Sequence, residues 1–112
     1  MVKHEMKLNK EPFESIQAGT KTIELRLNDE KRQLLNVGDV IEFTNIETKE
    51  KQSVEVDNLF YYDSFEELYK HFDKVSLGYD ANEVANYKDM EQYYPQEEQK
   101  KYGVVGIKIK KI

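Results

Sequence analysis

The chain has 112 residues, of which 35% are charged and 38% hydrophobic, with no cysteine and a formal net charge of −5. This size suits one domain with one modest core. The lack of cysteine excludes disulfides, thiolate catalysis and cysteine zinc sites, and the acidic balance excludes a general nucleic-acid coat, which needs surplus lysine and arginine.

Eight tyrosines and five phenylalanines argue against disorder. No apolar run approaches the roughly 20 residues of a membrane span, and Met1–Glu5 lacks the apolar stretch of a signal peptide, so a cytoplasmic location is expected. The charge is uneven. Residues 1–35 hold seven Lys/Arg and six Asp/Glu, a net of +1, and residues 36–112 hold ten and sixteen, a net of −6. A local basic site therefore belongs in the first third.

In chain order, residues 2–8 alternate as a strand with Val2, His4, Met6 and Leu8 on one face. Asn9 is a helix N-cap, Pro12 fits the first turn, Phe13 and Ile16 share a helical face, and Gly19 suits the left-handed C-terminal position. Residues 21–27 form a strand with strict alternation. Ile23, Leu25 and Leu27 are expected to enter the barrel core with Val40 or Ile41, Phe43, Val54, Val105, Ile107 and Ile109, while Thr22, Glu24 and Arg26 face the other way. After a polar turn, Leu34 and Leu35 return to the core.

Asn36–Asp39 is a turn, Val40–Phe43 a strand, Thr44–Lys51 a hairpin connection and Ser53–Asp57 its return strand. Leu59 and Tyr61 break the parity of Val54 and Val56, which predicts a bulge near Asp57-Asn58. Ser64 and Glu67 make a capping box for a helix carrying Phe65, Leu68, Tyr69 and Phe72. A second helix is predicted from after Asp80 to about Tyr94 through Val84, Tyr87 and Met90. Pro95 opens a further turn ending at Gly103, and a last strand carries Val105, Ile107 and Ile109. Short strands with inserted helices predict an α+β fold, a small mixed barrel.

His4 and His71 are far apart, with no i+4 partner and no glycine-rich phosphate loop, so neither a metal nor a cofactor is expected. The strand at 21–27 carries the chemistry. Lys21 and Arg26 donate to phosphate or carbonyl groups, Glu24 accepts, and Thr22 does both. The same row also fits a cross-strand salt bridge on a wet face. Tyr79, after Leu77-Gly78 in a loop, is the tyrosine placed to cover a pocket.

The stretches PFESIQAGTKTIELRLND, LLNVGDVIEF, LGY and DMEQYYPQEEQKKYGVVGIKI resemble the ASCH domain of the PUA-like superfamily over nearly the whole chain, read as a single domain spanning 1–112. The resemblance implies a PUA-like β-barrel with helical insertions and a cleft lined by Lys21, Thr22, Glu24 and Arg26. It implies a short single-stranded RNA or a nucleoside or nucleotide as partner. An alternative is an amidohydrolase acting on N4-acylated cytidine, with Lys21 and Glu24 catalytic. Hydrolase members resembling this chain have a threonine nucleophile where Glu24 stands, and Asp73 is the nearest carboxylate for their third residue. A protein-interaction domain with a vestigial pocket is the remaining alternative.

Overall fold

The structure is a computed structural model and describes residues 2–112. Ten elements follow the chain: β1 (Lys3–Leu8), α1 (Lys10–Ala18), β2 (Ile23–Leu27), a 3-10 turn (Arg32–Leu34), β3 (Val40–Asn45), β4 (Lys51–Tyr62), α2 (Phe65–Tyr69), a second 3-10 turn (Tyr87–Gln92), α3 (Gln96–Tyr102) and β5 (Val104–Lys111). The five strands form one curled sheet in the order β1-β3-β4-β5-β2. β1 runs parallel to β3, and the other pairs are antiparallel. This is the α+β half-barrel with helical insertions that the sequence predicts.

The expected hairpin is β3–β4, and the expected bulge falls between Val56 and Asn58. Beyond the bulge β4 does not stop at Asp57 but runs on to Tyr62, because β5 supplies a partner along its whole second half.

The sheet separates two cores. Phe13 and Ile16 of α1 pack with Met6, Leu8, Ile41, Phe43, Val54, Val105, Ile107 and Ile109 inside the curl. Ile23, Leu25 and Leu27 do not join them. They pack on the opposite face with Phe65, Leu68, Leu77 and Val104, under the inserted helices. The β2–β5 register explains this, since Glu24 lies opposite Ile107 and Arg26 opposite Val105, while Leu25 and Leu27 lie opposite Gly106 and Val104. Residues opposite one another in a ladder share a face, so it is the charged face of β2 that looks into the barrel.

Three further expectations need correction. β2 begins at Ile23, not Lys21, because the Thr22 and Ile23 amides both donate to the Ser76 carbonyl at 3.0 Å instead of to a strand. Leu34 is exposed and only Leu35 is buried. No helix runs from Asp80 to Tyr94. A single turn forms at Asp80, where the Glu83 amide donates to the Asp80 carbonyl and the Glu83 carboxylate accepts from the Asp80 amide, but the Asn86 side chain then takes the Lys88 amide and starts a separate short 3-10 turn at Tyr87. Val84, placed on that helix's apolar face by its spacing, stands 88% exposed. His4 is half-buried as expected, 2.9 Å from an Asp39 carboxylate oxygen, and the exposed His71 stacks on Tyr62 with ring centroids 5.0 Å apart.

Candidate ligand cavity

Two turns fix the first site residue. α1 ends at Gly19, whose φ of 86° is the left-handed geometry that glycine adopts without strain. The chain then folds back so that the Thr20 and Lys21 amides both donate to the Ser15 carbonyl at 3.1 Å. From the other side, the Asp73–Tyr79 loop holds Thr22 and Ile23 through Ser76. Lys21 is pinched between these turns, and its stem passes over Gly78. A β-carbon at Gly78 would lie 3.1 Å from Lys21 Cδ, and φ there is +108°. Gly78→Ala should therefore cost about 1–3 kcal/mol of stability through backbone strain and displace the Lys21 side chain, a loss measurable by denaturant unfolding.

Lys21 Nζ lies 3.0 Å from Glu24 Oε1, and Arg26 Nε donates to Glu24 Oε2 at 2.7 Å. Lys21 and Glu24 are buried, at 8% and 3% exposure. Burial alone raises the Glu24 pKa, but the two cations and their hydrogen bonds outweigh it and hold the carboxyl at about 2. Burial likewise lowers the Arg26 pKa, and Glu24 and Tyr94 more than restore it, raising it above the ordinary value. The row is therefore a buried, hydrogen-bonded ion network rather than a wet-face salt bridge. With two cations around one carboxylate it carries one net positive charge. Arg26 Nη2 also donates to the Lys7 carbonyl at 2.9 Å, linking the open edges of β1 and β2.

Between those edges lies a cavity of about 760 Å³, within the size range of small-molecule sites. Lys21, Glu24, Leu25 and Arg26 form one wall, and Tyr69, Tyr79, Tyr93 and Tyr94 contribute aromatic surface. Tyr69 and Tyr79 hydroxyls are 3.0 Å apart, and the Tyr79 hydroxyl is also 2.8 Å from Asp89 Oδ2 and 3.1 Å from the Asn86 carbonyl. Both acceptors compete for the Tyr79 proton, so Tyr69 donates to Tyr79. Burial raises both phenol pKa values, reinforced at Tyr69 by the bond it donates to Tyr79 and at Tyr79 by the Asp89 carboxylate, so both side chains are neutral at ordinary pH. Around the mouth, Lys7 and Lys10 are outnumbered by Glu11, Glu47, Glu83 and Asp89.

Of the residues the sequence singled out, Lys21, Glu24, Arg26 and Tyr79 border this cavity and Thr22 does not. Thr22 precedes the strand, and its backbone is spent on Ser76 and on the Ile109 amide, which donates to the Thr22 carbonyl at 2.9 Å. Asp73 is also outside the lining. Its carboxylate accepts from the Val75 amide within its own loop. Sequence reasoning did not single out Gly78, Tyr69 or Asp89 as site residues, although Gly78 stands in the LGY motif and Tyr69 on the apolar face of the predicted helix. Among the described residues, no group of three or more His, Asp or Glu is placed to hold a metal ion.

The model for the ASCH domain matches residues 6–112. The crystal structure of hypothetical protein PH0355 is 37% identical, with 99% of this chain and 100% of that one covered and a TM-score of 0.80. The solution NMR structure of protein PF0455 from Pyrococcus furiosus is 34% identical, with 99% and 98% covered and a TM-score of 0.71. No curated protein matches this sequence. A family match over nearly the whole chain, on the half-barrel found here, means that the chain belongs to the ASCH domain family.

Proposed function

We propose that this protein binds a nucleoside, a nucleotide or a short single-stranded segment of RNA in the cavity beside Lys21. The observation that carries the reading is the buried Lys21–Glu24–Arg26 network in the wall of a roomy, tyrosine-rich cavity. A network this costly to desolvate is weak evidence for a role in stability, since packed apolar residues serve that purpose as well or better. It does place an ammonium and a guanidinium in the cavity wall, where their remaining N–H groups can meet a carbonyl or phosphate oxygen, with π-faces nearby for a base. The acidic mouth and the net charge of −5 favour a ligand with little charge over a long polyanion.

The hydrolase alternative fares worse by the same geometry. A carboxylate held at about 2 and engaged by two cations has little tendency to take a proton from water near neutral pH. Glu24 is therefore a positioning anion for Lys21 and Arg26, and N4-acetylcytidine is expected to be a ligand without being turned over.

Isothermal titration with the four ribonucleosides, their 5′-monophosphates and short oligoribonucleotides tests the proposal. Lys21→Ala should weaken binding by roughly 1.5–3 kcal/mol, the size of a charge-assisted hydrogen bond. Binding that is unchanged in Lys21→Ala would place the ligand elsewhere on the surface.

A further inference from the structure

The cavity is bordered by a sheet edge as well as by side chains. In the antiparallel β2–β5 pair the Ile109 amide donates to the Thr22 carbonyl and the Asn28 amide to the Gly103 carbonyl. Bonded pairs in such a ladder recur at every second residue, and the register between these bonds is unbroken. The residues of β2 bonded to β5 are therefore Thr22, Glu24, Arg26 and Asn28. The N–H and C=O of Ile23, Leu25 and Leu27 point the other way, toward the open edge that faces β1. The Ile23 amide is taken there by the Ser76 carbonyl. Leu25 has no edge-side partner among the described residues, is only 6% exposed, and borders the cavity. The Leu25 side chain is buried in the second core on the other face, which leaves its backbone donor and acceptor free to bond a ligand in the cavity.

We propose that the Leu25 backbone reads the ligand: its N–H donates to, and its C=O accepts from, the edge of a nucleobase, which presents an acceptor and a donor side by side. This rests on the nucleoside-type reading above and adds the orientation. One residue of an extended strand offers a donor and an acceptor pointing the same way, which is how it pairs with a second strand. The hydrogen-bonding edge of a nucleobase presents the complementary pattern: N3 and the N4 amine of cytosine, N3–H and O4 of uracil, N1 and the N6 amine of adenine, and N1–H and O6 of guanine. An added peptide strand would use the same chemistry but needs rungs at every second residue. Among the described residues only the Leu25 rung opens into the cavity, since the Ile23 amide is spent on Ser76 and Leu27 lies outside the cavity lining. A base on this rung would lie alongside Glu24 and Arg26, near the tyrosine surface, with its sugar and any phosphate toward the mouth. The carboxylates Glu11, Glu47, Glu83 and Asp89 around that mouth oppose a phosphate there, so an uncharged nucleoside is favoured over its monophosphate.

The test uses the 15N-labelled full chain. It is titrated with each of the four ribonucleosides. Each nucleoside that binds is compared with its analogue whose edge donor is methylated: N3-methyluridine, N4,N4-dimethylcytidine, N6,N6-dimethyladenosine or N1-methylguanosine. The expected result is a Leu25 amide resonance that moves and becomes protected from exchange with the parent nucleoside, and an analogue that binds about tenfold more weakly or worse. Equal affinities for parent and analogue overturn the edge reading alone. So does a Leu25 amide that stays still while Lys21 and Tyr79 resonances shift. If no nucleoside moves any resonance bordering the cavity, the edge reading and the nucleoside-type reading fall together.

Discussion

Replacing Glu24 by alanine should destabilise the protein by about 3–5 kcal/mol, the cost of stripping a buried ion network of its counter-charge. The variant leaves the Lys21 ammonium and the Arg26 guanidinium beside each other with nothing between them, both largely out of water. The wild type carries the same energy as a pH dependence. The Glu24 carboxyl sits at about 2 in the folded protein against an ordinary 4.5. Its contribution to stability is present above about 4.5 and is lost as pH falls from there toward 2, on the order of 3 kcal/mol in all. Glu24→Gln should lose stability at neutral pH and show a flatter decline over that acid range. Urea unfolding at a series of pH values measures both effects. A Glu24→Ala variant as stable as the wild type would mean that the carboxylate is not the centre of the network.

Leu25→Ala should cost about 2–5 kcal/mol, because Leu25 is a buried member of the second core. The informative part is its coupling. Leu68 belongs to the same cluster and Ile41 to the other, across the sheet. In double-mutant cycles Leu25→Ala should couple with Leu68→Ala by at least about 0.5 kcal/mol and be additive with Ile41→Ala. The reverse pattern would return Leu25 to the inside of the curl and move Glu24 and Arg26 outside it.

That reversal is the point at which the sequence was ambiguous. Alternation in Ile23–Leu27 shows that the two faces of the strand differ. It does not say which face looks into the barrel, because both apolar and polar faces were covered in this fold. The inserted segment between β4 and β5 provides the second core through Phe65, Leu68 and Leu77. The apolar face follows it, and the charged face is left to line the barrel mouth. A length suited to one modest core concealed this division. The helix predicted after Asp80 failed for a local reason. The spacing of Val84, Tyr87 and Met90 is helical, and Glu83 bonds the Asp80 amide as a helix start would, but the Asn86 side chain takes the Lys88 amide that a continuing helix would need.

The legible parts were those with chemically distinct signals. Gly19 at a helix end, the parity break at Asp57-Asn58 and the N-cap at Ser64 each name one geometry, and each occurs, although the Glu67 carboxylate pairs with Lys70 and does not complete a capping box. For the cavity, charged residues at unusual positions in a strand were visible, and so were Lys21, Glu24, Arg26 and Tyr79. The Leu25 backbone was not, because a donor and acceptor common to nearly every residue carries no sequence signal. Its importance comes only from the sheet order, which leaves β2 at an edge.

The most direct test of the account is a crystal structure of the protein with cytidine. The account predicts the nucleoside in the cavity between β1 and β2, with the Lys21 ammonium within hydrogen-bond distance of a ligand oxygen, the base against Leu25 and the sugar toward the mouth. A nucleoside bound to another surface, or a cavity left empty at ligand concentrations that saturate binding in solution, would contradict it.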